Sequence, residues 1–186
     1  KRQVSINQNP TMWDSKPEPS VVKISYLNAR SLLNKFENIK SDISLQQSNV
    51  LVLAETWIPT NVDESEKYQL KNYENHLNST GRGKGLAVFY QPEYKKITNY
   101  NKEEINITKI ESMDLDVIAI YRSKDGHIDK LINKLQEIIN MSKSTIVIGD
   151  MNICIKKQPK NELKNFLEQR TFRQIITQAT NIEVGH

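Results

Sequence analysis

Five polar residues stand where apolar, β-branched runs of this chain stop. Asn28 follows residues 21–27, Glu55 follows residues 50–54, Tyr121 follows residues 117–120, and Asp150 and Asn152 follow residues 145–148 across Gly149. Open α/β sheets carry their sites at the carboxyl ends of strands. If these strands are neighbours, one rim gathers two carboxylates, two carboxamides and a phenol. That set suits hydrolysis of a phosphodiester. A hard divalent cation such as Mg²⁺ takes carboxylate oxygen, here from Glu55, and keeps several waters that a phosphate can replace. Asp150 is placed to orient or deprotonate an attacking water. Asn28 and Asn152 offer amide donors to the water or the phosphate, and Tyr121 offers a hydroxyl. No covalent nucleophile is required.

Taken singly, these residues have plainer readings. Asn and Asp at strand ends commonly form turns by bonding their own backbone. Glu55 and Asp150 are harder to explain that way, because each directly follows an apolar strand, where a carboxylate without a partner is costly to bury. Residues 81–85, Gly-Arg-Gly-Lys-Gly, lie between residues 73–77 and the strand from Leu86, and are expected to form a hairpin or a sheet-crossing loop. They are not a Walker loop, since the GxxxxGK[ST] spacing and a following helix are both absent. Arg82 and Lys84 there have two readings, a contact to a nucleic-acid backbone and a solvated turn. Lys156, Lys157, Lys160 and Lys164 likewise read either as a basic rim or as a solvated helix face. His76 and His127 have no metal-ligand spacing to any acidic or cysteine cluster and read as surface or loop histidines.

The elements that must position these residues are visible as two kinds of pattern. Short runs at residues 21–27, 50–54, 86–90, 117–121 and 145–148 predict strands. Leu32, Leu33, Phe36, Ile39 and Ile43 recur at helical spacing, as do Ile128, Leu131, Ile132, Leu135, Ile138 and Ile139, and then Leu163, Phe166 and Leu167. Strand, helix, strand at both ends, with a non-helical stretch from Leu86 to Ile120 between them, predicts an α/β architecture with mixed sheets and helices outside. Residues 1–20, with Pro10, Pro17 and Pro19, read as an extended lead-in or linker, and residues 21–186 as one domain. A net charge of +4 tilts the surface toward polyanions without marking an architectural nucleic-acid binder. The single cysteine, Cys154, excludes an internal disulfide, suits a reducing nuclear or cytoplasmic setting and reads as a small buried hydrophobe. No stretch reaches the ~18 consecutive apolar residues of a membrane span.

Four segments, Leu27-Asn28-Ala29-Arg30-Ser31-Leu32, Ala54-Glu55-Thr56-Trp57, Ile120-Tyr121-Arg122 and Gly149-Asp150-Met151-Asn152, resemble in that order the successive motifs of the endonuclease/exonuclease/phosphatase superfamily. The wording of the first two resembles its mobile-element branch: the apurinic-type endonucleases of non-LTR retrotransposons and the endonuclease domains fused to Helitron-like helicase proteins. Residues 81–86 and 178–186 also resemble stretches of the latter. The resemblance implies a four-layered α/β sandwich of two mixed sheets flanked by helices. It also implies Mg²⁺, or Mn²⁺, as cofactor, DNA as partner, and fused helicase or reverse transcriptase domains in a longer protein. It implies Asn28 as a phosphate- or nucleophile-orienting amide, Glu55 as the metal ligand, Tyr121 as a phosphate hydroxyl donor, and Asp150 with Asn152 as the pair that positions water. Arg30, Arg82, Lys84 and Thr180 would face the nucleic acid.

Two departures from the pattern stand out. Arg30 occupies a place where some repair members carry a second metal-side carboxylate, which favours coordination through Glu55 alone. Thr180 matches the threonine of a Thr-His motif, with Asn181 where that histidine would stand. The family's final Asp and Ser-Asp-His motifs are not found before His186, so the expectation is a domain cut off before its last strands, with exposed sheet edges and low stability. The leading expectation is a DNA-nicking endonuclease. The alternatives are a phosphodiesterase or phosphatase of the same superfamily acting on RNA, phospholipid or inositol phosphate, and an inactive remnant that binds nucleic acid.

Overall fold

The computed structural model describes residues 21–59, 66–78, 81–102, 104–153 and 161–176. Eight strands form two four-stranded sheets. In the first sheet β1 (Ile24–Asn28), β2 (Val50–Ala54), β4 (Leu86–Tyr90) and β3 (Glu74–Asn78) lie in the order β1-β2-β4-β3. In the second, β5 (Lys95–Lys102), β6 (Ile105–Glu111), β7 (Leu115–Arg122) and β8 (Ser144–Asp150) lie in sequence order. β1 and β2 are parallel and joined through α1 (Leu32–Ser41) and α2 (Ile43–Gln46), and β7 and β8 are parallel and joined through α3 (Ile128–Ile138). The other pairings are antiparallel, so both sheets are mixed. α4 (Glu162–Gln169) follows β8.

The layering follows from strand period. Side chains alternate across a sheet, and β2 is apolar at every position because both of its faces are covered. Leu51 and Leu53 pack outward with Leu32, Phe36 and Ile39 of α1, while Val50, Val52 and Ala54 point inward. β7 repeats the device: Val117, Ala119 and Tyr121 meet the inward face of the first sheet, and Ile118 and Ile120 pack under Leu131 and Leu135 of α3 and Leu163 and Phe166 of α4. The result is a four-layered α/β sandwich, helix, sheet, sheet, helix. The central strands are fully buried, whereas the edge strands β1 and β8 are only half-buried. Among the described residues no helix is long and apolar enough to cross a membrane.

Several sequence expectations need correction. The first strand begins at Ile24, leaving Val21 and Val22 exposed ahead of it. The first helical stripe is broken at Asp42, whose carboxylate accepts from Ser44 N at 2.8 Å and Leu45 N at 3.1 Å and so starts α2. Ile43, counted in that stripe, is 73% exposed, and Leu33 is exposed too. Three strands, β3, β5 and β6, had not been delimited. β3 and β5 are sheet edges, where one open side admits polar residues and blurs the apolar signal. His76 is no loop residue: it sits half-buried on β3 with Nδ1 3.3 Å from Lys96 Nζ, and burial together with that ammonium pushes its pKa down. His127 caps the exposed start of α3.

At the end of the second sheet away from Tyr121, Asp116 is fully buried between two ammonium groups, with Lys109 Nζ at 2.6 Å and Lys143 Nζ at 3.0 Å. Lys109 also donates to Ile138 O at 3.0 Å, tying the carboxyl end of α3 to the sheet.

Candidate active site at the carboxyl rim

The exits of β1 and β2 stay paired past the strands. Asn28 stands opposite Ala54, and the chains continue side by side through Ala29 N to Ala54 O (2.8 Å), Ser31 N to Glu55 O (2.9 Å) and Leu32 N to Thr56 O (2.8 Å). This places Asn28 beside Glu55, and Asn28 Nδ2 donates to Glu55 Oε1 at 2.6 Å. The Asn28 side-chain oxygen Oδ1 is partly used in a turn, accepting from Arg30 N at 3.2 Å. Asn28 thus shapes the turn with its side-chain oxygen and holds Glu55 with its side-chain nitrogen. The local backbone is costly: Arg30, Ser31, Glu55 and Trp57 all adopt positive φ, at 44°, 88°, 51° and 57°. Such conformations cost on the order of 1–3 kcal/mol each and persist where the surroundings over-determine them.

β8 delivers the second carboxylate. Gly149 lies opposite Ile120 with φ 145°, and a Cβ there would sit 1.8 Å from Ile120 O, so only glycine lets β8 run this close to β7. Asp150 follows, in register with Tyr121. Its Oδ1 accepts from Asn152 N at 2.9 Å, and Asn152, at φ 50°, donates Nδ2 to Arg122 O at 2.7 Å. Arg122 returns the contact, giving Nε to Met151 O at 2.8 Å and Nη2 to Asn152 O at 3.3 Å, with Nη1 on Gly126 O. The guanidinium is thus a buried cation that grips the turn carrying Asp150 and Asn152. Burial lowers its pKa and the Asp150 charge opposes that shift.

The two carboxylates share one rim, as two phenols between the sheets register. Tyr121 is pushed up to about 12, first by burial, then by the charges of Glu55 and Asp150. Tyr26 is raised further, by burial and then by Asp150 and Glu55. Each carboxylate lies near enough to both rings to disfavour a second negative charge there. The Tyr121 hydroxyl donates its one proton to Gly83 O at 2.9 Å, so it pins the glycine loop; to serve a phosphoryl oxygen it must release that bond. Tyr26 had not been singled out, although its place two residues before Asn28 on the same strand put it on the same face. Nothing in the spacing of Ile120-Tyr121-Arg122 marks Arg122 as the grip on this turn.

Residues 81–85 form the end of the β3–β4 hairpin and lean against the Glu55 segment, through Trp57 N to Lys84 O at 2.9 Å and Gly81 N to Ile58 O at 2.8 Å. The two cations of this loop differ. Lys84 is spent on Glu104, whose carboxylate lies 2.6 Å from Nζ and is held below its ordinary pKa by that bond. Arg82 is exposed, stands over the Trp57 ring at 5.7 Å and makes no ion pair among the described residues. Arg30 is exposed beyond Asn28. Lys164 pairs along α4 with Glu168 at 3.6 Å, a solvated helix face. Thr180, Asn181, His186, Cys154, Lys156, Lys157 and Lys160 lie outside the described residues.

The rim's donors fit a hard cation. They are oxygen only, from Glu55, Asp150 and the carboxamides, and the buried Arg122 guanidinium lies in the field of Asp150. Among the described residues no three His, Cys, Asp or Glu side chains converge on one point. A hard divalent cation can be held through one or two carboxylates while keeping its own waters.

The sequence matches no family model and no curated relative. Solved structures do match. An apurinic endonuclease from Archaeoglobus fulgidus superimposes with a TM-score of 0.58 at 18% identity, over 80% of this chain and 71% of that one. The 3′ phosphatase NExo from Neisseria, bound to a product DNA hairpin, gives 0.55 at 13% identity over 81% and 70%. A humanized D. rerio TDP2 gives 0.52 at 16% identity over 82% and 79%. At these identities the likeness is one of architecture: the chain has the fold of the endonuclease/exonuclease/phosphatase proteins.

Proposed function

We propose that this chain carries the catalytic rim of a divalent-metal-dependent phosphodiesterase that nicks DNA, as a module of a mobile-element protein. The observation that carries the reading is that the ends of β2 and β8, from two different sheets, meet over one core cluster of Tyr26, Ala54, Tyr121 and Ile148, with Glu55 next after Ala54 and Asp150 in register with Tyr121. The fold likeness to nucleic-acid hydrolases supports the reaction class, and the wording of residues 27–32 and 54–57 supports the mobile-element assignment.

Glu55 would hold Mg²⁺ or Mn²⁺, with Asn28 fixing its carboxylate by the 2.6 Å bond. When bound, such an ion supplies charge neutralisation and polarisation at a phosphoryl oxygen. The rest falls to the chain's own residues. Asp150, its Oδ1 held by the Asn152 backbone N–H, accepts the proton of a water as the water oxygen bonds to phosphorus. The bond from phosphorus to the leaving deoxyribose oxygen breaks, and that oxygen takes a proton from solvent. Asn152 and Asn28 keep water and phosphate in line, and half-burial of the rim strengthens each of these contacts.

The test is relaxation of supercoiled plasmid with Mg²⁺ and with chelator. Nicking is expected only with the metal, and Glu55→Gln and Asp150→Asn are each expected to abolish it while melting like the parent. Equal nicking by either variant would overturn the assigned roles.

A further inference from the structure

Trp57 is a large aromatic group beside this rim that none of the proposed chemistry uses. It stands two residues after Glu55, half-buried, in a left-handed backbone conformation with φ 57°. A bulky aromatic residue rarely holds that conformation, and here the bond from Trp57 N to Lys84 O keeps it there. Its indole Nε1 is shut off from solvent and meets no acceptor among the described residues, so the ring is aimed by its backbone and not by its nitrogen. Arg82 stands over the ring at 5.7 Å and is itself exposed and without an ion pair among the described residues. The intervening chain ties both groups to the reaction rim. Gly83, next to Arg82, accepts the Tyr121 hydroxyl, and that phenol lies in the field of Glu55 and Asp150.

From this geometry we infer that Trp57 and Arg82 form a stacking platform for an unpaired nucleobase beside the scissile phosphate, the guanidinium meeting the phosphate of the same nucleotide. The inference rests on the nuclease reading and adds the form of the substrate to it. An aromatic face binds a base only where the base has a free face of its own, as at a single strand, a flap or a strand end; inside a duplex both faces are covered. A flat ring reads no sequence, because every base has such a face. Arg82 adds an electrostatic contact that weakens with salt. Lys84, already paired with Glu104, is not part of the platform.

The chain holds two tryptophans, so Trp57→Phe assigns the fluorescence of position 57. The probe is a single-stranded thymidylate oligonucleotide, with a blunt duplex for comparison, in chelator so that nothing is cut. The single strand is expected to quench the parent and not Trp57→Phe. For Trp57→Leu its dissociation constant is expected to rise roughly 5- to 150-fold, the equivalent of ~1–3 kcal/mol for one stacked base. Arg82→Gln is expected to reduce the dependence of log affinity on log salt by about 0.7, one phosphate contact on a single strand. Duplex affinity should change less than about twofold in either variant. Retained single-strand affinity in a Trp57→Leu protein that melts like the parent would overturn the platform, as would equal losses for single strand and duplex. Plasmid nicking, measured in parallel, separates the two claims: quenching without nicking refutes the nuclease reading alone, and nicking without quenching refutes the platform alone.

Discussion

Replacing Gly149 by alanine tests the approach of β7 and β8 on which the position of Asp150 depends. The new Cβ would stand 1.8 Å from Ile120 O and 2.9 Å from Ile120 N, against 3.4–4 Å for ordinary contact. The obstructing atoms are backbone in the middle of a buried strand, so no side chain can swing away; the strands must part by more than an ångström. Two costs follow. Alanine at φ 145° adds strain of roughly 1–3 kcal/mol. Parting at Ile120↔Gly149 weakens one or two ladder hydrogen bonds, each worth about 1 kcal/mol net. Together they come to about 2–5 kcal/mol, a large share of the roughly 5–15 kcal/mol of a typical domain. The expected result is a melting temperature lower by about 5–20 °C. Faster hydrogen exchange along residues 144–150, and loss of any Asp150-dependent reaction even below the melting point, should accompany it. If the alanine protein melts within about 1 °C of the parent and protects β8 equally, the close strand approach is wrong, and with it the placement of Asp150.

Other expectations follow from single contacts. Tyr121→Phe removes the hydroxyl on Gly83 O and should cost about 0.5–1.5 kcal/mol, mostly as local opening. Hydrogen exchange should quicken at residues 81–85 with little change in melting temperature, and unchanged protection there would refute the tether. Because Tyr121 is raised from 10.0 to about 12, its neutral form is favoured in the fold: its contribution is complete below pH 10 and is lost as pH rises toward about 12. Denaturation across that interval should show stability falling by on the order of 2 kcal/mol, and by less in Tyr121→Phe. In tyrosinate absorbance titrations, Glu55→Gln and Asp150→Asn should each bring the latest-titrating phenols down; if neither does, the carboxylates do not share a rim. Asp116→Asn leaves Lys109 buried without its counter-charge and should destabilise by ~3–5 kcal/mol in urea denaturation. Adding Lys109→Met should restore part of that loss, and no recovery would refute the pairing.

The parts of this fold that could be read from the sequence are those where burial acts on both faces or on one regular face. Residues 50–54 and 86–90 are apolar throughout because a helix lies on one side and a second sheet on the other, and their bounds as read coincide with β2 and β4. Where one side is open the signal fails. β3 reads Glu-Asn-His-Leu-Asn and β5 is mostly polar, since each needs inward residues only on alternate positions and tolerates anything outside. The break at Asp42 was hidden because the apolar spacing continues to Ile43, whereas the local bonds of one carboxylate decide where the helix stops. At the rim, the residue types and their strand-end positions were visible. What no spacing rule conveys is who bonds to whom: that Arg122 spends itself on the carbonyls of Gly126, Met151 and Asn152, that Lys84 is taken by Glu104, and that the Tyr121 proton is given to Gly83. Those partners are 4 to 38 residues away in the chain and are fixed only by tertiary packing.

The distribution of strain gives the rim its physical logic. Of the non-glycine residues with positive φ among those described, Arg30, Ser31, Glu55, Trp57 and Asn152 all lie in the exits of β1, β2 and β8. Each exit must turn sharply so that a carboxylate and its amide partner face the same space, and the strands behind them cannot yield because β2 and β7 are buried on both faces. The unfavourable terms, the left-handed backbone turns, thus sit at the ends of β2 and of β1 and β8, which are paired to the doubly covered β2 and β7. The favourable terms, the packed layers, lie behind them. A cation held at Glu55 would neutralise that charge without asking the backbone to move, because the geometry is already set by the sheets. Preorganisation of that kind is bought during folding, by the burial of β2 and β7, and so does not have to come from substrate binding.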